Sequence, residues 1–133
     1  MATDVEKMLK DYTAAWNSYD VNKILPFFTD DCVYEDAALG VVNHGKKELT
    51  AFINSASTNT PDVKIELKSA FGAGDWAGSE WVITGTYLPT GKKFSIRGAS
   101  ITEMRKGKIS RNTDYWNMAA FLRQVGLMPA PSK

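Results

Sequence analysis

Lys108–Met128 reads KISRNTDYWNMAAFLRQVGLM, and its period changes part-way. Through Trp116 polar and apolar side chains alternate as in a strand, and MAAFLRQVG then reads as an amphipathic helix that stops at Gly126 and runs into Pro129 and Pro131. Within the strand, Asn112, Asp114 and Trp116 project to one face, because side chains two apart point the same way. Aromatic neighbours partly dry such a carboxyl, raise its pKa and let it exchange a proton with a carbonyl compound near neutral pH. An Asp near a strand end also caps or pairs, so Asp114 carries a structural reading beside the catalytic one.

The same alternation runs upstream through VKIELKSAF (63–71), WAGSEWVITGTYL (76–88) and KFSIRGASITEM (93–104). Glycine-rich, PTG-type and KGK-type turns separate these stretches, so together with KISRNTDYW they predict four long strands paired antiparallel in sequence order. Gly78, Gly85 and Gly98 fall inside strands and predict bulges or strong bending, as a sheet wrapped around a cavity requires.

Before the NTPD turn the period is helical. Thr3 or Asp4 is placed to cap a helix whose apolar stripe is Val5, Met8, Leu9, Tyr12, Trp16 and Tyr19. On that stripe Tyr12 is either plain core or a hydroxyl donor facing a cavity. Asp20 reads as the cap of a short second helix that Pro26 limits. CVYED (32–36) is β-prone and sets Tyr34 and Asp36 on one face. Asp36 is therefore a second candidate carboxylate, although before AALG it also suits a turn. Leu49, Phe52, Ile53 and Ala56 mark a third helix, and His44 ahead of it is expected to clamp the entering loop.

A chain of 133 residues with 44% hydrophobic content fits one domain, 1–133, able to bury a substantial core. Sixteen basic residues against fifteen acidic ones, spread without blocks, predict no footprint for nucleic acid or an anionic membrane. The start, MATDVEKMLKDY, does not read as a signal peptide and no apolar run spans a bilayer, so a soluble cytoplasmic protein is expected. The single cysteine, Cys32, reads as a small core residue, and with one His a zinc site is not expected.

Helices first and a bent sheet afterwards predict an α+β fold: a cone in which N-terminal helices pack on a strongly curved antiparallel sheet enclosing a pocket. This order resembles the nuclear-transport-factor-2-like cone fold across nearly the whole chain, through FFTDDCVYED, the HGKKELTAFI helix and the GKISRNTDYW strand. Within that fold, GKIS…TDYWNMAAFLRQVG is most similar to the SnoaL-like polyketide cyclases. There the Asp of the last strand is the acid–base residue of an intramolecular aldol ring closure, and the resemblance places it at Asp114; the family's pocket His on the preceding strand becomes Ser100. Through MLKDYTAAW and FFTDDCVYEDAALG the chain is also similar to ketosteroid isomerases. Their oxyanion-binding Tyr matches Tyr12 and their proton-shuttling Asp matches Asp36, while their second oxyanion donor, a protonated Asp, becomes Ser100, a weaker donor. Limonene epoxide hydrolase is similar at Asp114 and Tyr34, but its Arg and Asp partners fall on Trp81 and Ile83, which sets epoxide hydrolysis aside.

The expected pocket has walls of Phe52, Trp81, Ile83, Phe94, Ile96 and Trp116, with Tyr12, Tyr34, Asp36, Ser100, Asn112 and Asp114 converging inside. It is expected to take a small apolar carbonyl-bearing ligand and, without cofactor or metal, to cyclise or isomerise it through an enolate. Asp114 is the principal acid–base group, Asp36 the alternative or second proton carrier, and Tyr12 the oxyanion donor. The competing class is a non-catalytic binding or interaction module of the same fold. Arg97, Ile101, Arg111 and Tyr115 alternate away from the pocket and are expected to form a homodimer face.

Overall fold

A computed structural model of the chain describes residues 4–129. Thr3, one of the two residues placed to cap the first helix, and Pro131 lie outside these residues. The order is α1 (Asp4–Ser18), α2 (Val21–Ile24) with a 3-10 turn at Leu25–Phe27, β1 (Phe28–Asp36), β2 (Val41–His44), α3 (Gly45–Asn59), β3 (Lys64–Ala73), β4 (Trp76–Tyr87), β5 (Lys92–Arg105), β6 (Lys108–Trp116) and α4 (Met118–Gln124). Six strands form one open, curved sheet in the order β2-β1-β6-β5-β4-β3, and the helices pack on it.

The four long strands pair antiparallel in sequence order, as their alternation predicts. The N-terminal strand adds something the alternation does not show: β1 joins parallel to β6, and the short VVNH strand β2 closes that edge antiparallel to β1. Register shifts fall at Phe28/Val33, Leu67/Ser69 and Glu103/Met104. None is at Gly78, Gly85 or Gly98, so the bulges expected there are displaced. At Gly98 the missing side chain has a different use. A Cβ there would lie 2.2 Å from the Trp81 ring, which rests on the bare backbone.

Helix α1 buries Leu9, Ala15 and Trp16 on the face the stripe predicts. It ends one residue before Tyr19, which turns into the left-handed region (φ 54°) and sends its hydroxyl to Thr60. The Asn17 amide bonds the Ile65 backbone both ways, at 2.9 and 2.6 Å, and so occupies part of the open β3 edge. Asp20 caps α2 by accepting the Asn22 N–H at 2.9 Å, and Pro26 sits in the 3-10 turn that ends it. The expected clamp at His44 is not formed: its side chain is exposed and makes no cap bond, while Glu48 accepts its backbone N–H at 2.8 Å. Helix α4 is capped by Asn117, fastened to β5 by reciprocal Gln124–Ser95 bonds of 2.7 and 3.1 Å, and ended by Gly126 at φ 83°. The Leu127 N–H then bonds Leu122 O at 2.8 Å, the geometry that a left-handed glycine permits.

Two packed clusters result. One joins α1, α2, β1, α3 and β6 around Trp16, Ile24, Phe28, Leu49, Ile53 and buried Cys32; the other joins Val63, Phe94, Ile96 and Val125. On the opposite face of the sheet Arg97, Ile101, Arg111 and Tyr115 are exposed. Among the described residues no helix is long and apolar enough to cross a membrane.

Candidate active site

Three rungs of the sheet build the polar end of a cavity. Residues that face one another across adjacent strands point to the same side, so the register alone assembles them. The first rung is Trp81–Gly98–Trp116, across β4, β5 and β6. The second is Ser79–Ser100–Asp114–Asp36, across β4, β5, β6 and β1. The third is Thr102–Asn112–Tyr34, across β5, β6 and β1. Gly98 between the two tryptophans leaves room for the Trp81 indole to lie across the sheet and reach the second rung.

Asp114 is the hub of the resulting network. Its Oδ1 accepts the Ser100 hydroxyl at 2.6 Å and the Asn112 amide at 2.8 Å, while its Oδ2 accepts the Tyr34 hydroxyl. Behind these, Trp81 Nε1 donates to Ser100 Oγ at 2.9 Å and the Thr102 hydroxyl donates to Asn112 Oδ1 at 2.7 Å. Asp36 is held differently. Trp116 Nε1 reaches both its oxygens at 3.0 Å, and the Leu39 N–H donates to its Oδ1 at 2.9 Å. The turn reading of Asp36 is thus realised, and the carboxylate still borders the cavity.

The cavity has a volume of about 370 Å³, at the small end of ligand pockets. It lies between the two packed clusters, with Trp16, Tyr34 and Phe52 on one side and Val63, Phe94 and Ile96 on the other. Eleven of the twelve residues expected to form the site line it: Tyr12, Tyr34, Asp36, Phe52, Trp81, Ile83, Phe94, Ile96, Ser100, Asp114 and Trp116. Asn112 does not. It is fully buried between Thr102 and Asp114, and it orients the carboxylate from behind. Ser100 borders the cavity, but its one proton goes to Asp114, so the hydroxyl is not free to stabilise a ligand oxyanion. Trp81 and Trp116, expected only as apolar walls, also supply N–H donors to the acidic rung.

Several lining residues escaped sequence reasoning. Ser79 lies two residues before Trp81, so alternation places it on the same face. Tyr19, Tyr87 and Phe121 close the far end, and their meeting depends on where α1 and α4 dock. Leu39 comes from the β1–β2 turn, where side-chain direction follows from no period. His44 is not among the lining residues.

Burial pushes the Asp114 carboxyl above its ordinary value of 3.8; the Ser100, Tyr34 and Asn112 hydrogen bonds oppose that shift, and the charge of Asp36 adds to it. What is accessible of Asp114 borders the cavity, and protein surrounds the carboxyl elsewhere. Burial, reinforced by the charge of Asp114, lifts the Tyr12 and Tyr34 phenols well above the usual tyrosine range, so both stay protonated as donors. The Tyr12 hydroxyl is buried and has no hydrogen bond of ordinary geometry, a weak approach by the Trp16 indole aside. Among the described residues no Lys, Arg or His side chain lines the cavity, and Asp36 and Asp114 are its acids. Among the described residues no group of three or more His, Cys, Asp and Glu is placed to hold a metal ion.

A family model described as a SnoaL-like domain matches residues 9–112, a span that holds Tyr12, Tyr34, Asp36 and Ser100 and stops two residues before Asp114. Cyclase aurE of Calcarisporium arbuscula is 28% identical over 109 residues, covering 78% of this chain and 80% of that protein. Among solved structures, a hypothetical protein with a ketosteroid isomerase-like fold from Catenulispora acidiphila, in complex with trimethylamine, matches with a TM-score of 0.86 at 24% identity, covering 92% of this chain and 94% of that one. IdmH of Streptomyces antibioticus, assigned provisionally as a polyketide cyclase, matches with a TM-score of 0.81 at 17% identity, covering 93% of this chain and 98% of that one. At these identities the structural likenesses establish the cone fold and nothing finer.

Proposed function

The chain belongs to the SnoaL-like domain family, and from that premise we propose that its cavity carries out cofactor-independent acid–base chemistry on a small, apolar, carbonyl-bearing compound. The reaction closes a ring by aldol addition or moves a double bond, both through an enolate. The cyclase name of aurE favours ring closure.

One observation carries this reading: the Asp114 carboxyl is desolvated at the cavity wall, is fixed by three hydrogen-bond donors, and is raised above its ordinary pKa by burial. Asp114 removes a proton from the carbon beside the carbonyl, and the bond electrons pass into the enolate. Tyr12, a lining residue whose buried hydroxyl has no partner beyond the weak approach of Trp16, donates to the carbonyl oxygen. The aromatic walls exclude water and hold the reacting carbons together. With no Lys, Arg or His among the described lining residues, the end of the ligand that meets Asp36 and Asp114 carries no negative charge.

Deuterium exchange tests the reading. Enolisable ketones and polyketide-like esters, incubated with the protein in heavy water, are expected to exchange their α-protons, and Asp114→Asn is expected to slow this about 10²–10⁴-fold. Equal exchange by wild type and Asp114→Asn would leave a ligand-binding module as the reading of this cavity.

A further inference from the structure

Of the two oxygens of Asp114, one is full. Oδ1 accepts from both Ser100 and Asn112, which occupies its two lone pairs. Oδ2 accepts only from Tyr34, so its remaining lone pair is the place where a substrate proton can arrive. The Tyr34 hydroxyl therefore sits on the very oxygen that gains the proton. Its ring is held between Trp16, Phe28 and Phe52, with centroids 5.6, 6.1 and 5.4 Å away, which leaves the hydroxyl hydrogen as the part free to turn.

We infer that Tyr34 is a second catalytic donor, whose hydroxyl is released to the enolate oxygen as Asp114 takes the proton. The inference rests on the acid–base reading above. In the step, the substrate C–H bond breaks, the proton bonds to Asp114 Oδ2, and the electron pair stays on the substrate as an enolate. Negative charge thus moves from the carboxylate to the substrate oxygen. The Tyr34 O–H bond stays intact throughout; only its acceptor changes. A protonated carboxyl oxygen accepts a hydrogen bond poorly, and a buried hydroxyl that loses its acceptor turns toward the strongest one left, the enolate oxygen in the cavity that Tyr34 lines. Return of the proton to carbon reverses the exchange. In ring closure the enolate carbon bonds the second carbonyl carbon, and that carbonyl oxygen becomes an alkoxide. Asp114 gives it the proton and so regains the charge that Tyr34 bonds.

This gives the two phenols different tasks. Tyr12 has no partner beyond the weak approach of Trp16 at any stage, so it meets the carbonyl oxygen from the ground state onward, and its bond strengthens as charge develops there. Tyr34 becomes available only as charge develops on the substrate, and an interaction made only then lowers the barrier. Asp114 and its donor are coupled through one oxygen.

The same geometry supplies a test in which a supporting role and a catalytic one have opposite signs. The Tyr34 hydrogen bond lowers the Asp114 pKa, so Tyr34→Phe makes Asp114 the stronger base. Were Tyr34 only a support, α-proton exchange of a test ketone such as 2-tetralone in heavy water would hold steady or quicken. If its hydroxyl serves the enolate, exchange falls about 10²–10³-fold while the carbon-13 titration of Asp114 moves up. Amide spectra establish that the variant is folded. Exchange in Tyr34→Phe as fast as wild type, with Asp114→Asn inactive, overturns the role of Tyr34 and leaves the base intact; wild type no faster than Asp114→Asn overturns both. A pH titration of the free protein gives a readout without turnover: as Asp114 takes its proton, the Tyr34 ring carbon that bears oxygen is expected to shift in step with it. A Tyr34 signal that does not follow Asp114 overturns the inference.

Discussion

Asp36 and Asp114 are register partners across the parallel β1–β6 pair. Neighbouring strands lie about 4.8 Å apart, so the two carboxyls share one rung and one face of the sheet. Their surroundings then separate them: Asp36 is tied to Trp116 Nε1 and the Leu39 N–H, whereas Asp114 keeps an open lone pair beside Tyr34. The charge of Asp36 raises the Asp114 pKa, so Asp36→Asn is expected to lower it. Carbon-13 titration of Asp114 in that variant measures the shift, and an unchanged or higher pKa would disconnect the pair. Because Asp114 acts as a base, the acidic limb of the activity profile should move to lower pH with it.

Stability and activity are expected to diverge at Asp114. Its carboxyl titrates above 3.8 in the folded chain, so the native state holds that proton more tightly than the unfolded state does. The resulting contribution to stability is fully present below the unfolded value and is lost as pH rises through the folded one. Near pH 7 the buried charge therefore opposes folding. Asp114→Asn, which keeps an acceptor for Ser100 and Asn112, is expected to raise the thermal midpoint there and to flatten its pH dependence while activity is lost. A lower midpoint at neutral pH, with the usual dependence retained, would contradict this.

Ser100 and Gly98 act on the same carboxylate by different routes. Ser100→Ala removes the hydrogen bond that does most to lower the Asp114 pKa, so the pKa is expected to rise with little change in cavity shape. Gly98→Ala instead drives a methyl into the Trp81 ring, 2.2 Å away, at a cost of about 1–3 kcal/mol. The displaced indole gives up its bond to Ser100. Both variants take the Trp81 indole from its acceptor and should shift the native emission, so urea unfolding separates them: only Gly98→Ala carries the overpacking cost.

Period was enough to read the long strands, their antiparallel order and the faces they show, because alternation fixes direction residue by residue. It brought Asp114 and Trp116 to one side, and Tyr34 and Asp36 to another, but it could not say that these sides are the same rung. That depends on β1 pairing parallel to β6, a contact between segments about 80 residues apart that no local pattern encodes. The resemblance to cone-fold families supplied the convergence that the period lacked. It did not supply the hydrogen bonds. The face predicts Ser100 as a weak donor and Asn112 as a cavity residue, because it says where a side chain points and not which partner takes its proton.

The outer face of the sheet leads to one more expectation. Ile101, Tyr115 and Trp76 are 44%, 51% and 46% exposed, on adjoining rungs of β4, β5 and β6. Arg111 lies over the Trp76 ring at 5.5 Å and 3.5 Å from Glu103, so the apolar surface is framed by a charge pair that a second copy can match. We propose that two copies of the chain associate through this face and leave both cavities, on the opposite side of each sheet, open to ligand. A stable dimer needs about 800 Å² buried on each partner, more than these three side chains provide, so Arg97 and the neighbouring strand positions must also be covered. Light scattering at micromolar concentration is expected to return twice the chain mass of 14.7 kDa for wild type and the single mass for Ile101→Asp combined with Tyr115→Asp. Because neither side chain touches the cavity, the variant should retain α-proton exchange per site; a monomeric wild type would remove the interface while leaving the cavity chemistry as argued.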